Sequence, residues 1–550
     1  MTEALTRRTV LGGVAAAGAV SLARPADGLA AALGSSGSGS VSSRWVGSLD
    51  GQSQPLAAPR RFALVGVQWS GPAKARIELR TRVGGGAWSG WVLASLLGHD
   101  PDPHEAGGGS SLFGEGIWVR RADWVQVRCS EPVRGLRVHF VSTPDELARS
   151  ASAALPLAQP VLDAGAGQPP IIARAAWARG VAKPKVVPVY GTVKLMFVHH
   201  TVNPNGYGPA EVPQMLLGIF DYHRFVRGYN DIAYNFIIDL FGGIWEARAG
   251  GIDEAVVGAH AGAYNSESSG VAVLGTFSDV TPSAAAINAL QHLVAWKMAL
   301  HGRPTLGRVM VEVNPSDAFY TPFAPGAHVS LPRVAGHRDG DQTDCPGDAF
   351  YFELPSIRPR IGRLAAGAAT LAMGAVKPVV AAGTAFAVSG RLALLGGGAL
   401  AGAPIEVQRI APFGAATTIA TATTGSDGSW SAALTLRTNA LLRALHRPAP
   451  AATSDVIVAG IAPLVTLAVE SVSPLTVSGT VSPAKPAVTI SLYALAGGRL
   501  RRISSKRVAV KRGQFAARIR AHGHGRFVLI AQTAADARNS TGSARAPVSL

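Results

Sequence analysis

Residues 193–201 read VKLMFVHHT, an apolar run that ends in two histidines. Such a run is typical of a buried strand, and it places His199 at the strand's end. Downstream, residues 336–347 read GHRDGDQTDCPG, in which His337 and Cys345 stand eight positions apart. Two imidazoles and one thiolate make a three-ligand zinc set. Three protein ligands leave a fourth tetrahedral position for water, as in catalytic rather than structural zinc sites. The three residues together predict a zinc hydrolase.

The segment around these residues, 170–366, mixes strand-like and helix-like patterns. Pro213 suits a first helical position, and Ser283 is a helix start signal. The strand-like runs are 235–239 and 271–277, and the helix-like runs are 213–226 and 283–301. The segment therefore predicts an α/β domain with a mixed sheet and flanking helices. Its metal-ligand candidates lie at element ends or on loops, where reactive groups usually sit.

An N-terminal β domain is predicted over residues 43–141. Short alternating runs, separated by turns rich in Gly and Pro, favour an antiparallel sandwich. Its tryptophans could stack on sugars, although packing in the core is the preferred interpretation: Trp69, Trp88, Trp91, Trp118 and Trp124. Residues 142–169, rich in Pro, Ala and Ser, have the composition of a linker.

The chain turns β-rich again from about residue 375, and there it repeats itself. The runs 387–390, 405–408 and 427–434 are loosely echoed at 476–479, 488–493 and 512–519. The spacing predicts two tandem Ig-like β-sandwiches, 375–463 and 464–550. No catalytic constellation stands out in either of them.

The positive charge of the chain is concentrated towards its C-terminus. Residues 371–550 hold 19 Lys and Arg against 5 Asp and Glu, whereas the whole chain holds 51 against 34. A basic cluster would attract a polyanion such as an anionic wall polymer: Arg499, Arg501, Arg502, Lys506, Arg507, Lys511 and Arg512. The alternative is a solvated arginine-rich face. Nucleic acid is not expected as a partner, because no recognised nucleic-acid module is visible.

Residues 1–35 have the pattern of a twin-arginine export signal. Arg7 and Arg8 precede a short, weakly apolar stretch rich in Gly and Ala. A disordered basic N-terminus is the alternative. The stretch is too short for a comfortable membrane span, and we expect cleavage within residues 22–32. The signal predicts export to the cell wall or the extracellular space, with no transmembrane segment after cleavage.

The chain has two cysteines, Cys129 and Cys345. An exported protein could pair them in a disulfide. Zinc binding by Cys345 would exclude that pairing. Cys129, within a run that alternates like a strand, is then interpreted as a small core or edge thiol.

Seven short pieces of the central segment form a recognisable series: IARAAW at 172–177, FVHHT at 197–201, IAYNFII at 232–238, GAHAG at 258–262, NSESSGV at 265–271, GHRD at 336–339 and CPG at 345–347. With these pieces, the segment resembles the family of peptidoglycan recognition proteins and type 2 N-acetylmuramoyl-L-alanine amidases, which includes small phage amidases. The pieces occur in the family's order, and the resemblance covers roughly a third of the chain.

The resemblance implies a role for several residues. His199, His337 and Cys345 match the family's zinc ligands, whereas His200 would point to the other side of a strand. Tyr234 matches the catalytic tyrosine. Thr343 stands where phage enzymes carry a lysine and many recognition-protein amidases carry threonine, and it is taken as a second polar assistant. His260 matches a histidine that lines the groove, which implies a role on the substrate side.

The implied reaction is hydrolysis of the amide between N-acetylmuramic acid and L-alanine in peptidoglycan. Zinc would activate water and polarise the carbonyl, and the Tyr234 hydroxyl would stabilise the oxyanion. A leaving amine needs a proton, yet the sequence offers no obvious His–Glu pair to supply it. Asp339 and Asp341 could orient His337 or cap its loop, and for Asp341 the loop role is preferred.

Two other functions compete with hydrolysis. The first is peptidoglycan binding without cleavage, but relatives of that kind typically lack the cysteine ligand. The second is a surface or scaffold protein in which the β domains matter most. The complete ligand set and Tyr234 favour catalysis over both.

Overall fold

The computed structural model describes residues 40–95, 111–143 and 167–550, apart from residues 73, 319, 375, 377–378, 412–415, 497–498 and 522. The predicted export signal and most of the predicted linker lie outside these residues. Among the described residues, no helix combines the length and the apolar character that crossing a membrane requires.

The N-terminal domain is one antiparallel sheet of seven strands, with β1–β7–β2–β6–β3–β4 in spatial order and β5 paired to β2. The described strands all belong to this one hydrogen-bonded sheet and share one core, and the sandwich arrangement that the sequence favoured stays a prediction. The pairing between the two long strands β2 and β6 shifts register between Ala57 and Leu64. The strands are β1 (Ser40–Leu49), β2 (Leu56–Ser70), β3 (Ile77–Arg82), β4 (Val92–Leu93), β5 (Leu112–Phe113), β6 (Ile117–Cys129) and β7 (Val133–Ser142).

The two faces of this sheet pack against different parts of the protein. Val65, Val67 and Trp69 of β2 lie in the domain's own core. Their neighbour Leu64, like Trp118, packs into a hydrophobic cluster that continues into the next domain. Because both faces are covered, Phe62–Val67 is buried without alternation.

The central domain, from about residue 170, is built on a mixed five-stranded sheet. The order is β10–β9–β11–β8–β14, with β9, β11, β8 and β14 parallel and β10 antiparallel at the edge. Its strands are β8 (Leu195–His200), β9 (Phe236–Ile238), β10 (Ile244–Glu246), β11 (Ser268–Val273) and β14 (Val334–Gly336), beside a separate hairpin of β12 (Arg308–Glu312) and β13 (His328–Pro332). Its helices are α1 (Ala175–Ala178), α2 (Val212–Asp221), α3 (Ala284–Leu300) and α4 (Asp348–Leu364).

Helices cover both faces of the central sheet, as predicted. α3 and α4 pack together on the face that carries Met196 and Val198. α2 packs on the opposite face with the N-terminal domain. Ser283 caps α3 by accepting a hydrogen bond from the Ala286 N–H at 3.1 Å, which confirms the predicted start. α2 begins at Val212 and continues through a π-helical turn to Val226.

The C-terminal half consists of two β domains, each with two main sheets around one core. The first begins with β15 at Ala369, ahead of the predicted residue 375. The internal repeat is visible in the pairing: β17 pairs with β20 as β27 pairs with β30. Strands of the first domain are β15 (Ala369–Met373), β16 (Val380–Ala381), β17 (Ala385–Leu394), β18 (Pro404–Ile410), β19 (Ala416–Thr423), β20 (Ser429–Thr435), β21 (Ala440–His446), β22 (Ala452–Thr453), β23 (Ile457–Ala459) and β24 (Ile461–Ala462).

The second C-terminal domain has the sheets β25–β27–β26, with β30 paired to β27, and β29–β28–β31–β32. Its strands are β25 (Leu464–Val465), β26 (Ala468–Val472), β27 (Leu475–Ser482), β28 (Ala487–Ala496), β29 (Arg499–Ala509), β30 (Gln514–Arg518), β31 (Arg526–Gln532) and β32 (Ser543–Ser549). The Ig-like assignment of these two domains stays a prediction.

The tryptophans of the N-terminal domain divide between the predicted uses. Trp69 and Trp118 are buried, which confirms core packing for these two. Trp88, Trp91 and Trp124 are only partly buried. Their rings interleave with arginine side chains, with guanidinium carbons 4.4 to 5.2 Å from the ring centroids: Arg80, Arg82 and Arg128. Such stacking is a recurrent cation–π contact.

Candidate metal centre

Two neighbouring parallel strands bring the first two candidate ligands together. β8 ends in His199 and His200, and β14 ends at Gly336, which lies opposite Val198. His337 therefore begins its 3₁₀ turn beside the end of β8. Carboxyl ends of parallel strands are where open α/β sheets usually place their sites.

The third candidate ligand arrives on the loop that precedes α4. The ligand atoms of His199, His337 and Cys345 all lie within 4.8 Å of one another, and all three residues are buried. The ring centroids of the two histidines are 4.5 Å apart. The three residues predicted from the sequence therefore lie together in the structure, although His199 and Cys345 are 146 positions apart in the chain.

Hydrogen bonds show which ring nitrogens face the cluster. Nε2 of His199 lies 3.2 Å from Nδ1 of His260, and its Nδ1 lies 3.7 Å from Sγ of Cys345. Nε2 of His337 lies 3.0 Å from Oδ2 of Asp341. Both histidines therefore present Nδ1 to the centre, while their outer nitrogens are held by a neighbouring side chain, as is usual for metal-binding histidines.

The preferred sequence interpretation of Asp341 was wrong. Its carboxylate holds His337, whereas the loop role belongs to Asp339, which accepts hydrogen bonds from the Gly336 N–H at 2.8 Å and the Tyr351 hydroxyl at 2.7 Å. The four-residue spacing between His337 and Asp341 allows this contact across a 3₁₀ turn. The spacing alone could not decide between the two aspartates.

His200 points away from the centre, as predicted from strand alternation. Its Nδ1 accepts a hydrogen bond from the Phe277 N–H at 3.3 Å, on the face covered by α3 and α4. Its backbone N–H donates to Sγ of Cys345 at 3.4 Å. The main chain of His200 thus hydrogen-bonds to Cys345, while its ring packs in the core under α3 and α4.

The chemistry of the three side chains fits a zinc ion. Burial lowers the pKa of His337 to about 3, so its ring is neutral, which is the form that binds metals. Burial raises the pKa of the Cys345 thiol, so a cation has to displace its proton, as is general for thiolate ligands. Two imidazoles and one thiolate form a soft N₂S set, which suits zinc and not calcium or magnesium. Cys129 and Cys345 are both free thiols, so the alternative of a disulfide is not realised.

Tyr234 lies beside the cluster. Its ring centroid is 5.5 Å from that of His199, and the residue is 1% exposed. The segment Ile232–Tyr234 precedes β9, and the Ala233 N–H donates to Nδ1 of His223 at 3.1 Å. Burial raises the pKa of Tyr234 well above its usual value of 10. The hydroxyl therefore stays protonated and can act as a neutral donor.

The structure places the two remaining predicted residues close to the ligands. The Thr343 hydroxyl accepts a hydrogen bond from the Cys345 N–H at 3.2 Å. His260 is fully buried, packed against Gly258 and Gly270, where an added Cβ would come within 2.4 Å of its ring. Its contact with His199 favours an orienting role, and its predicted substrate-side role stays a prediction.

Comparison with known proteins agrees with this geometry. A family model described as N-acetylmuramoyl-L-alanine amidase matches residues 189–348, and one described as Rv3811 N-terminal galactose-binding domain-like matches residues 34–159. Peptidoglycan-recognition protein SC2 of Drosophila simulans is 31% identical over 157 residues, which cover 28% of this chain and 70% of that protein. N-acetylmuramoyl-L-alanine amidase of Sus scrofa is 27% identical over 219 residues, 36% of this chain and 30% of that protein.

Among solved structures, wild-type Drosophila PGRP-LB aligns with 34% of this chain and 92% of its own, at 24% identity and a TM-score of 0.26. The sequence relatives, together with the candidate ligand set, define the class: an amidase-type α/β domain with three buried side chains that could hold a metal ion. The chain belongs to the family of peptidoglycan recognition proteins and type 2 N-acetylmuramoyl-L-alanine amidases.

Proposed function

We propose that this protein is an exported, zinc-dependent N-acetylmuramoyl-L-alanine amidase. It would hydrolyse the amide between the lactyl group of N-acetylmuramic acid and L-alanine in peptidoglycan. The observation that carries the proposal is the convergence of His199, His337 and Cys345 within 4.8 Å, with Tyr234 beside them. Water adds to the carbonyl carbon, the C–N bond breaks, and the products are a carboxylate and the protonated amine of L-alanine.

His199, His337 and Cys345 would hold the zinc ion, which when bound lowers the pKa of water and polarises a carbonyl. The chain's own contribution is to hold the ligands in one orientation. Asp341 fixes the ring of His337, and His260 fixes that of His199. Because every ligand is buried, little reorganisation is needed when charge develops on the substrate.

The Tyr234 hydroxyl has a separate role as a hydrogen-bond donor to the oxyanion. A donor that is already in place, in a site that excludes water, stabilises developing charge more than a mobile donor in water does. Thr343 is proposed as the second polar assistant. Its hydroxyl already supports the Cys345 backbone, so it can act on the substrate only by sharing or changing that hydrogen bond.

Hydrolysis of purified peptidoglycan tests the proposal directly. The wild type is expected to release new L-alanine N-termini, and Cys345→Ala is expected to release none and to hold less zinc. Cys129→Ala is the matched control, because Cys129 lies in the N-terminal sheet and hydrogen-bonds to the Leu49 and Gly51 carbonyls. Equal product release by the wild type and Cys345→Ala would overturn the zinc mechanism.

The main rival is a protein that binds peptidoglycan without cutting it. Several relatives are named peptidoglycan-recognition proteins, which supports recognition as a shared property. The two functions separate in one assay, because a binding protein would sediment with peptidoglycan and leave its amides intact. The complete ligand set with Tyr234 supports cleavage as the better proposal.

The last β domain is proposed to hold the enzyme near anionic wall polymers. Residues 464–550 contain 13 Lys and Arg against 2 Asp and Glu. The exposed side chains of β29 and the following turn supply most of this charge: Arg499, Arg501, Arg502, Lys506, Arg507, Lys511 and Arg512. Because β29 is an edge strand, the same charges could instead prevent edge-to-edge pairing.

A salt titration separates these two roles. Sedimentation of the full chain with cell walls should weaken as salt rises, and it should weaken at low salt in Arg501→Gln/Arg502→Gln/Arg507→Gln. Binding that is unchanged by both treatments would assign the charges to edge protection alone.

Export by the twin-arginine route is the remaining part of the proposal. Arg7→Lys/Arg8→Lys is expected to leave the protein inside the cell, whereas Arg24→Lys, beyond the apolar stretch, should not. Fractionation followed by immunoblotting measures this. Normal export of the double variant would assign the segment to another route.

A further inference from the structure

The N-terminal domain brings an acidic side chain to the proposed amidase site. Glu115 lies in the Gly114-Glu115-Gly116 connection between β5 and β6 and is 4% exposed. Its Oε1 lies 3.1 Å from Nη1 of Arg227, and its Oε2 lies 4.0 Å from Nε2 of His223. Both partners belong to the central domain, in and just after the π-helical turn that follows α2.

The glycines on either side explain how this carboxylate comes so close. The ring of Tyr222 lies over the N-terminal sheet, and a Cβ on Gly66 or Gly116 would meet that ring at 2.3 Å or 3.1 Å. The Tyr222 hydroxyl donates to the Gly114 carbonyl at 2.7 Å. A side chain at Gly66 or Gly116 would collide with the Tyr222 ring, so glycine at these two positions allows the close approach of the two domains.

The contact is part of a continuous core rather than of a loosely docked lid. Leu64 and Trp118 of the N-terminal sheet share one hydrophobic cluster with Met215 and Ile219 of α2. The Trp118 N–H also donates to Oδ1 of Asn203 at 2.6 Å in a buried position. Separating the two domains would expose this hydrophobic cluster to water. The shared cluster therefore holds Glu115 in place against the central domain.

From Glu115, a short chain of contacts leads to Tyr234. Nδ1 of His223 accepts the Ala233 N–H, so in the neutral ring the proton sits on Nε2, which faces the carboxylate. The His223 and Tyr234 ring centroids are 5.9 Å apart. Glu115 thus favours the Nε2-protonated tautomer of His223. In that tautomer Nδ1 is free of its proton and can accept the hydrogen bond from the N–H of Ala233, the residue before Tyr234.

We propose that Glu115 is a positioning residue of the amidase site, contributed by the N-terminal domain, and that it acts on Tyr234 through His223. The inference rests on the proposed function. The two members of this His–Glu pair come from different domains.

The test compares Glu115→Gln with the wild type, as full-length zinc-loaded protein acting on peptidoglycan. We expect kcat to fall about tenfold or more, with KM within about twofold, because the positioning of a donor is lost and not substrate binding. Glu115→Asp, which keeps the charge, should recover part of kcat. Arg120→Gln is the matched control, since it breaks the Arg120–Glu211 ion pair of the same interface, at 2.8 Å, without touching His223.

A double variant distinguishes positioning from a general loss of structure. In a Tyr234→Phe background, Glu115→Gln should reduce kcat by less than about twofold, because both changes remove the same donor. If Glu115→Gln lowers kcat in the Tyr234→Phe background as much as it does in the wild type, Glu115 supports the fold and does not act through Tyr234. An unchanged or increased kcat in the single variant would also overturn the proposal, and an increase would mean that the carboxylate obstructs the site.

A spectroscopic measurement keeps this test independent of hydrolysis. The protein is labelled with ¹⁵N-histidine, and the His223 signals are assigned by their loss in His223→Gln. In the wild type these signals should show a ring protonated on Nε2, and their chemical shifts should change in Glu115→Gln. If the wild type proves inactive while this change is seen, the proposed function fails but the contact with His223 stands. If the His223 signals are identical in both proteins, the positioning chain is wrong.

Discussion

Nε2 of His199 lies 3.2 Å from Nδ1 of His260, and the opposite nitrogen of the His199 ring faces Sγ of Cys345 at 3.7 Å. One buried histidine thereby holds another in the orientation that a metal ligand needs. The arrangement gives His260 a task that does not require contact with substrate.

The first prediction follows from this pair. His260→Phe keeps the ring volume but removes the hydrogen bond, so zinc affinity should fall about 10- to 100-fold. Competition with a chelator, read as retained zinc, measures it. His328→Phe, at an exposed position of β13, is the control. Zinc affinity equal to that of the wild type, together with a raised KM, would return His260 to the substrate-side role.

The second prediction concerns Tyr234. Tyr234→Phe removes a hydroxyl whose proton is retained because burial raises its pKa. Loss of one oxyanion donor commonly costs about 10²- to 10³-fold in kcat, and bound zinc should stay unchanged. Turnover of peptidoglycan and metal analysis on the same sample check both statements. A variant that loses its zinc as well would show that the tyrosine supports the metal and not the oxyanion.

Much of the centre was predictable because its residues lie in recognisable local patterns. An apolar run that ends in His199, and a loop that carries His337 and Cys345, are visible without knowledge of the fold. The roles of Asp339 and Asp341 were not predictable, because both stand within four residues of His337 and only the turn geometry separates them. His223 and Glu115 lie 108 positions apart in different domains, and no local pattern connects them.

The fold shows the same division. α3 was predicted with its start at Ser283, whereas α4 was not predicted, and it holds Pro355 and Pro359 inside it. Proline lacks the backbone donor and disfavours helix interiors, so local preference is against a helix there. The helix forms nevertheless because Phe350, Leu354 and Ile357 are buried in the main core. Tertiary packing thus overrides local preference.

The third prediction concerns the contact between the central domain and the first C-terminal β domain. Nη1 of Arg443 lies 2.8 Å from Asp253 and 2.9 Å from Glu254, and all three side chains are buried. Arg443→Met leaves two carboxylates without their cation, which typically costs about 3–5 kcal/mol. The midpoint of urea unfolding should fall accordingly.

A triple variant identifies the cause of that loss. Arg443→Met/Asp253→Asn/Glu254→Gln removes both carboxylates together with Arg443, so part of the lost stability should return. Buried Lys297, which the two carboxylates also stabilise, keeps its hydrogen bonds to the Ile252 and Glu254 carbonyls. Arg409→Met, at the exposed position next to Gln408 on β18, is the control. If the triple variant is as unstable as Arg443→Met, lost packing and not uncompensated charge is responsible.

The fourth prediction is a pH dependence in the N-terminal sheet. Burial, assisted by the charge of Arg137, lowers the pKa of His139 from 6.5 to about 4. The unfolded chain therefore takes up a proton near pH 6.5, while the folded domain does so only near pH 4. The stability that the neutral ring contributes is complete above pH 6.5 and is lost as the pH falls to 4, by up to about 3 kcal/mol.

Hydrogen exchange of peptides from β7 measures this loss, because its amides open with the sheet. Between pH 7 and pH 4.5, the wild type should lose more protection than His139→Gln, which keeps a donor towards Oε1 of Gln68, 3.1 Å from Nε2 of His139. Comparing the two proteins at each pH cancels the intrinsic pH dependence of exchange. Equal changes in both would mean that His139 is protonated in the folded sheet at the same pH as in the unfolded chain, and that the buried ring carries no pH-dependent stability.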